Sequence, residues 1–232
     1  PILPKGYVVR NLASFKEEDY NSLKESGKRV NFVKISDVPK AKLGKYLNSY
    51  LNKGEELDLH NRYKMLKRKH WYHVPSTWKS EGLFIKRSHL FPKLFVNEAN
   101  VLATDSFYRI MMSEGYNIKN LVFSFYNSLT FVLAELEGRY YGGGVLELTP
   151  NEFKNLALPY NEDISDEQFN HLDGLLRENQ NIETILAYTN PILLENIDYT
   201  CLESIRVKLV HRRLKRKSIE DKPPVRKLKR SL

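Results

Sequence analysis

Apolar positions change their period several times along the chain, and each change marks an expected element. Near the N-terminus, Tyr7-Val8-Val9-Arg10 and Val30-Asn31-Phe32-Val33-Lys34-Ile35 alternate as half-buried strands do. Phe15 to Glu25 between them is polar and loosely helical. Ser36 or Asp37 can cap a helix that Pro39 enters near its first turn, with Leu43, Tyr46, Leu47 and Tyr50 on one face and Gly54 as its stop. Alternation returns from Trp71 to Val74, predicting a strand that runs into a loop at Pro75. Leu90 to Asn97 and Val101 to Thr104 predict strands about a turn at Asn97–Asn100, and Ser106 to Met112 predicts another.

From Asn117 the period lengthens. Leu121, Val122, Phe125, Leu129, Val132, Leu133 and Leu136 repeat at helical spacing, which predicts one long helix to Gly138. Gly142, Gly143 and Gly144 follow, then a short strand from Val145 to Leu148. Three glycines in a row lose much backbone freedom on folding and bury no side chain, so they predict positive φ values or a close approach by backbone or ligand. Their spacing matches neither a Walker loop nor a dinucleotide fingerprint, and a structural hinge is the leading reading. A secondary one turns their N–H groups and Arg139 towards a DNA backbone. Thr149-Pro150-Asn151-Glu152 is a capping box with Pro at its first helical position, and that helix ends by Pro159. Ser165-Asp166-Glu167-Gln168 opens a further helix with Phe169, Leu172, Leu175 and Leu176 on one side. Asn190-Pro191 breaks the pattern, and a last helix spans about Tyr199 to Arg213. No internal repeat is present.

Charge changes this picture. The net charge is +9, but from Arg206 to the C-terminus there are 12 Lys/Arg and two Asp/Glu, so the rest of the chain is near neutral. Inside that neutral body, Arg62 to Lys93 holds nine Lys/Arg against the single acid Glu81. Two separated basic regions fit a polyanionic partner such as nucleic acid. A single cysteine, Cys201, excludes an internal disulfide and fits a reducing compartment, read here as cytoplasmic. No apolar run is long enough for a membrane span, and no signal-peptide pattern is present, so no membrane partner is expected. The chain starts at Pro1 and not Met, which predicts a fragment of a longer polypeptide.

The candidate contact residues concentrate in the basic stretch. Arg62, Lys64, Lys67, Arg68, Lys69, Lys86 and Arg87 can neutralise phosphates, and Trp71, Tyr72 and Trp78 interleave with them as stacking or wedging groups. His70 and His73 belong to the same segment. On a strand their rings would face opposite ways, and one cysteine cannot complete a tetrahedral site, so they read as DNA- or solvent-facing groups and no metal site is expected. No catalytic constellation stands out: there is no nucleophile elbow, no paired metal ligands and no nucleotide fingerprint.

Several segments resemble a known family. Phe123 to Thr130, Ala134 to Pro150 and Leu156 to Pro159 are similar to the C-terminal region of adenine-specific N6 DNA methyltransferases of restriction–modification systems, most specifically in Tyr141-Gly142-Gly143-Gly144-Val145-Leu146-Glu147-Leu148. Lys53 to Leu57, Arg68 to Pro75 and Leu94 to Glu98 match that family in the same order, so the resemblance covers about residues 45–160. It implies a target-recognition domain that reads duplex DNA through groove-facing loops, while an N-terminal catalytic domain of the same polypeptide approaches from the other side. The family holds S-adenosylmethionine and a flipped adenine with motifs absent here, since Asn190-Pro191-Ile192-Leu193 lacks the second proline and the aromatic platform of Asn-Pro-Pro-Tyr. The resemblance therefore implies no cofactor in this chain and no methyl transfer by it alone.

The expected architecture is α+β, a mixed sheet with packed helices. Residues 1–160 form the recognition domain, 161–217 a helical extension, and 218–232 a basic tail that is disordered when unbound. Two other classes stay open at this level: a self-contained nucleic-acid-modifying enzyme with an unrecognised site, and a protein-interaction scaffold with a basic tail.

Overall fold

The computed structural model describes residues 1–9, 11–75 and 77–220, with side chains to residue 215. In chain order the elements are β1 (Ile2–Leu3), α1 (Glu17–Glu25), α2 (Lys45–Glu56), α3 (Tyr63–Leu66), β2 (Gly82–Ile85), β3 (Arg87–Ser88), β4 (Leu94–Val96), β5 (Leu102–Ala103) and β6 (Phe107–Ile110). They continue with α4 (Ile118–Phe125), α5 (Ser128–Glu137), β7 (Arg139–Tyr141), β8 (Val145–Glu147), α6 (Pro150–Lys154), α7 (Asp166–Arg177), α8 (Ile182–Leu193) and α9 (Tyr199–Glu220). The fold is α+β, as the sequence predicts. It divides into two units: residues 31–78, and Pro1–Val30 together with the chain from Lys79 onward.

The larger unit is built around β2. This strand is central in the antiparallel sheet β4-β2-β6, pairing Leu83 with Phe95 on one side and Arg109 on the other. Alternate residues of a strand face opposite ways, and here each face meets its own core. Phe84 packs with Phe123, Phe125, Phe131, Phe169, Leu172 and Ile185, while Leu83 and Ile85 pack with Leu3, Phe15, Phe95 and Phe107. All four β2 residues are buried, so the strand shows no polar alternation and does not stand out as one. Helices α7 and α8 share the Phe84 core with α4 and α5, so this core runs across residue 160.

One residue beyond β2 the chain changes sheet. The Lys86 N–H donates to the Ser106 carbonyl (3.2 Å) and its carbonyl accepts from Leu148 N–H (3.2 Å). β3 then joins the antiparallel sheet β3-β8-β7. β1 and β5 make a separate parallel pair.

Several local expectations are corrected. Tyr7 to Val9 is no strand: Gly6–Val8 is a 3₁₀ turn, and Arg10 lies outside the described residues. Residues 30–36 form no strand; the Val30 carbonyl accepts from Ile2 N–H (2.8 Å). The predicted long helix is two, because Asn127 leaves the helical path with φ −149° and caps α5 by accepting from Thr130 N–H. The Trp71–Val74 segment is a turn following α3, not a strand. Gly54 lies inside α2, Pro39 precedes a 3₁₀ turn at Lys40–Lys42, and Pro191 is accommodated in the last turn of α8. Both capping boxes form as expected, at Thr149 and Ser165. Helix α9 continues past residue 218; the expected tail from residue 221 lies outside the described residues.

Candidate nucleic-acid interface

Nine of the predicted contact residues fall in the unit of residues 31–78: Arg62, Lys64, Lys67, Arg68, Lys69, His70, Trp71, His73 and Trp78. Its small core is Ile35, Leu51 and Tyr72, with Leu43, Leu47 and Trp71 against it. The aromatic and histidine side chains are largely consumed in building this unit. The tip of the Trp71 ring abuts α2 at Gly54, where an added Cβ would sit 2.6 Å from Cη2. Trp71 Nε1 donates to Glu55 (3.3 Å), and Tyr72 Oη donates to the Val38 carbonyl (2.5 Å). His70 Nδ1 lies 2.8 Å from Asp37 Oδ1, and His73 Nδ1 lies 3.0 Å from the Ile35 carbonyl oxygen. These bonds tie the basic turn to residues 35–38, which have no sheet partner of their own. The His70 bond holds Asp37 below the usual carboxylate range, as the Lys40 bond does for Glu55. Burial pushes the Tyr72 phenol up.

The cations of this unit point outward. Arg62, Lys64, Lys67 and Lys69 are exposed, with Lys67 Nζ 4.9 Å from the Tyr63 ring centroid. Arg68 is half-buried and donates to the Trp71 carbonyl (3.3 Å), so it also holds the turn. Trp78 is 40% exposed. Residues 31–78 contain ten Lys/Arg and four Asp/Glu. Three of those acids are engaged within the unit: Asp37 by His70, Glu55 by Lys40 and Trp71, and Asp58 by Asn61. A surplus of six positive charges remains on 48 residues, on a rigid aromatic base. Beside it, a groove of about 590 Å³ is lined by Tyr50, Leu51, Met65, Arg68 and Trp71.

The remaining three candidates, Lys86, Arg87 and Arg139, belong to the larger unit. Lys86 Nζ stands 4.7 Å from the Tyr108 ring centroid. Arg87 Nε bonds Glu147 (2.7 Å) and Arg139 Nε bonds Glu152 (2.6 Å), and both carboxylate bonds raise the guanidinium pKa further. These two arginines brace the β7–β8 hairpin. The glycine triplet is the turn of that hairpin, a reversal between two paired strands. Gly143 and Gly144 have φ of 77° and 73°, which a side chain would strain.

Lys86 and Arg87 also line a cleft that sequence reasoning does not find. It is assembled from the Gly6–Val8 turn, the β2–β3 junction and the segment up to β4, and Lys5, Tyr7, His89 and Lys93 line it too. No local signal links positions 5–7 to 85–93; packing of the Gly6 backbone and Val9 against Ile85 brings them together. Buried basic groups in α9 are equally unforeseen. Arg206 bonds Glu203 and Glu183 (both 2.6 Å), and Arg213 bonds Glu135 of α5 (2.8 Å) and the carbonyls of His89 (2.7 Å) and Gly144. Two cations of the basic C-terminal run are thus internal struts.

Among the described residues, no group of three or more His, Cys, Asp or Glu side chains is placed to hold a metal ion. No helix among them is long and apolar enough to cross a membrane. A family model described as the C-terminal domain of the Type II methyltransferase M.Eco57I matches residues 1–194. No curated protein and no solved structure matches the chain.

Proposed function

The chain belongs to the family of Type II methyltransferase C-terminal domains represented by that of M.Eco57I, and from this we propose that it recognises duplex DNA for an adenine-N6 methyltransferase of a restriction–modification system. Family membership supports a partnership with DNA and with a catalytic domain of the same enzyme. The family match extends the resemblance seen in the residues, about 45–160, to residues 1–194. In this reading S-adenosylmethionine and the methyl-transfer chemistry belong to that catalytic domain, and the enzyme works in the cytoplasm.

The observation that carries DNA contact is the basic unit of residues 31–78. Its exposed Arg62, Lys64, Lys67 and Lys69 neutralise phosphates, and phosphate contacts fix register while other groups reach base edges. Arg68, His70, Trp71 and His73 hold the turn that presents them, and Trp78 meets the backbone at its rim. Lys86, Arg87 and Arg139 supply the contacts of the larger unit.

The test is a variant carrying Lys64→Ala, Lys67→Ala and Lys69→Ala, three exposed positions whose removal leaves the His70, Trp71 and Tyr72 bonds intact. Each lost phosphate contact flattens the dependence of log K on log salt by about 0.9. Duplex binding by the variant should weaken at low salt and its slope should flatten by roughly one to three. An unchanged affinity and slope would remove this unit from the interface. Methyl transfer to duplex DNA by the 232-residue chain with S-adenosylmethionine would contradict the assignment of chemistry to another domain.

A further inference from the structure

Five arginines of the larger unit come with counter-charges. Arg87 has Glu147, Arg139 has Glu152, Arg177 has Asp19 and Asp173, Arg206 has Glu203 and Glu183, and Arg213 has Glu135. Lys93 does not. It stands just before β4, where its carbonyl accepts from Ile85 N–H (3.0 Å), and its side chain is half-buried with Nζ 5.5 Å from the Phe91 ring centroid. It makes no ion pair with any described residue, and burial alone pushes its pKa down. Desolvating an ammonium without an anion is costly, so a sequence that keeps lysine here supplies the anion from elsewhere.

The surroundings say what kind. Lys93 opens into the cleft between the Gly6–Val8 turn and the β2–β4 connection, in a part of about 370 Å³ also lined by Arg87, His89, Tyr7, Asn11 and Asn179 and, among the described residues, by no carboxylate. The acids Asp105 and Glu147 line the adjoining part instead. Arg87 uses Nε for Glu147, which leaves both Nη groups for a second acceptor. The wall carrying His89 is fixed, because the buried Arg213 donates to its carbonyl. A pre-built pocket with two cationic side chains, an imidazole, neutral amides and an exposed tyrosine at its mouth matches a tetrahedral oxyanion on a larger molecule.

We propose that this part of the cleft is a phosphate-binding site, with Lys93 and Arg87 as its cationic lining and the His89 imidazole as a further hydrogen-bonding group. Resting on the DNA-recognition reading, the phosphate is a backbone phosphodiester of the bound duplex, gripped by the larger unit.

The test is NMR of the wild-type chain labelled with ¹³C at lysine Cε, the Lys93 signal being assigned by its loss in Lys93→Arg. Inorganic phosphate and a short DNA duplex are titrated separately. Both should shift the Lys93 signal saturably, and the Lys93→Met chain should bind duplex with a salt slope flatter by about 0.9. A response to inorganic phosphate with none to duplex would keep the phosphate site and assign it to a free anion. Silence of Lys93 towards both probes overturns the proposal, even where Lys93→Met fails to fold. The two readings fail separately: a silent Lys93 in a chain that binds duplex sinks only the phosphate site, whereas a phosphate-responsive Lys93 in a chain that ignores duplex sinks only DNA recognition.

Discussion

At Gly54 two effects oppose each other. Alanine in a helix interior is better than glycine by about 1 kcal/mol. A Cβ at this position, however, would meet the Trp71 ring at 2.6 Å, and overpacking costs about 1–3 kcal/mol. The ring is trapped by its own bond to Glu55, so the clash wins. Gly54→Ala should lower the midpoint of urea unfolding followed by tryptophan emission; an equal or higher midpoint would mean that Trp71 is free to move. Arg213 shows the same logic with charge. It is 1% exposed and Glu135 is 2% exposed, so Arg213→Met leaves a buried carboxylate uncompensated, at about 3–5 kcal/mol. Adding Glu135→Leu should recover much of that loss. Full recovery is not expected, because the His89 and Gly144 carbonyls still lose a donor, about 1–3 kcal/mol in a buried setting. If the double variant is no more stable than the single, the pair is not what Arg213 serves. Neither residue is visible as a strut in the sequence. Arg213 sits in a run of Lys and Arg that reads as one solvated arm, and Glu135 lies on a helix 78 residues away.

Elements were legible where their signals are local. The capping boxes at Thr149 and Ser165 form because hydroxyl, backbone N–H and the residue three positions on are all within one turn. The α4–α5 break was hidden because apolar spacing continues through Tyr126 and Asn127, while the kink depends on contacts from afar. Asn190 accepts from the first N–H of α5, at Ser128 (2.9 Å). β2 was hidden by its completeness, being buried on both faces. The alternation at Tyr7 to Val9 misled because its residues serve a turn and a cleft rather than a sheet. A further element-scale device joins residues 13–19 to α7. Asp173 accepts from Ala13 N–H (2.8 Å) and Ser14 N–H (3.1 Å), and Arg177 bonds Asp19 and Asp173. Burial alone would raise Asp19, but the Arg177 bond and the Lys16 N–H bring it below its ordinary 3.8. In acid the folded state therefore binds fewer protons than the unfolded chain, and this contribution is present above 3.8 and lost as pH falls through the folded value. The stability gap between wild type and Asp19→Asn should close between roughly pH 5 and pH 2. A gap that stays constant over that range would leave the Asp19 carboxylate out of the clip.

For the whole molecule, the structure moves the weight of the charge. The sequence alone assigns the basic excess to the chain after Arg206, yet Arg206 and Arg213 are buried in ion pairs. Residues 31–78 hold ten Lys/Arg and four Asp/Glu, against 15 and 22 in residues 1–30 and 79–205 together. Within residues 1–205 the small unit thus carries the basic excess. The stretch 62–78 was legible as basic and aromatic, but not the division of labour within it, in which rings and imidazoles build the platform and lysines face out. That division requires knowing where residues 35–38 and α2 lie, and no spacing rule supplies it. The most direct measurement is fluorescence anisotropy of a labelled duplex with the unmodified chain across about 50–200 mM salt. Binding through several exposed cations predicts a dissociation constant that rises steeply, with a slope of log K against log salt beyond about −2, or more than two phosphates at 0.9 each. Binding that is flat with salt, or absent at low salt, would contradict DNA recognition by this chain.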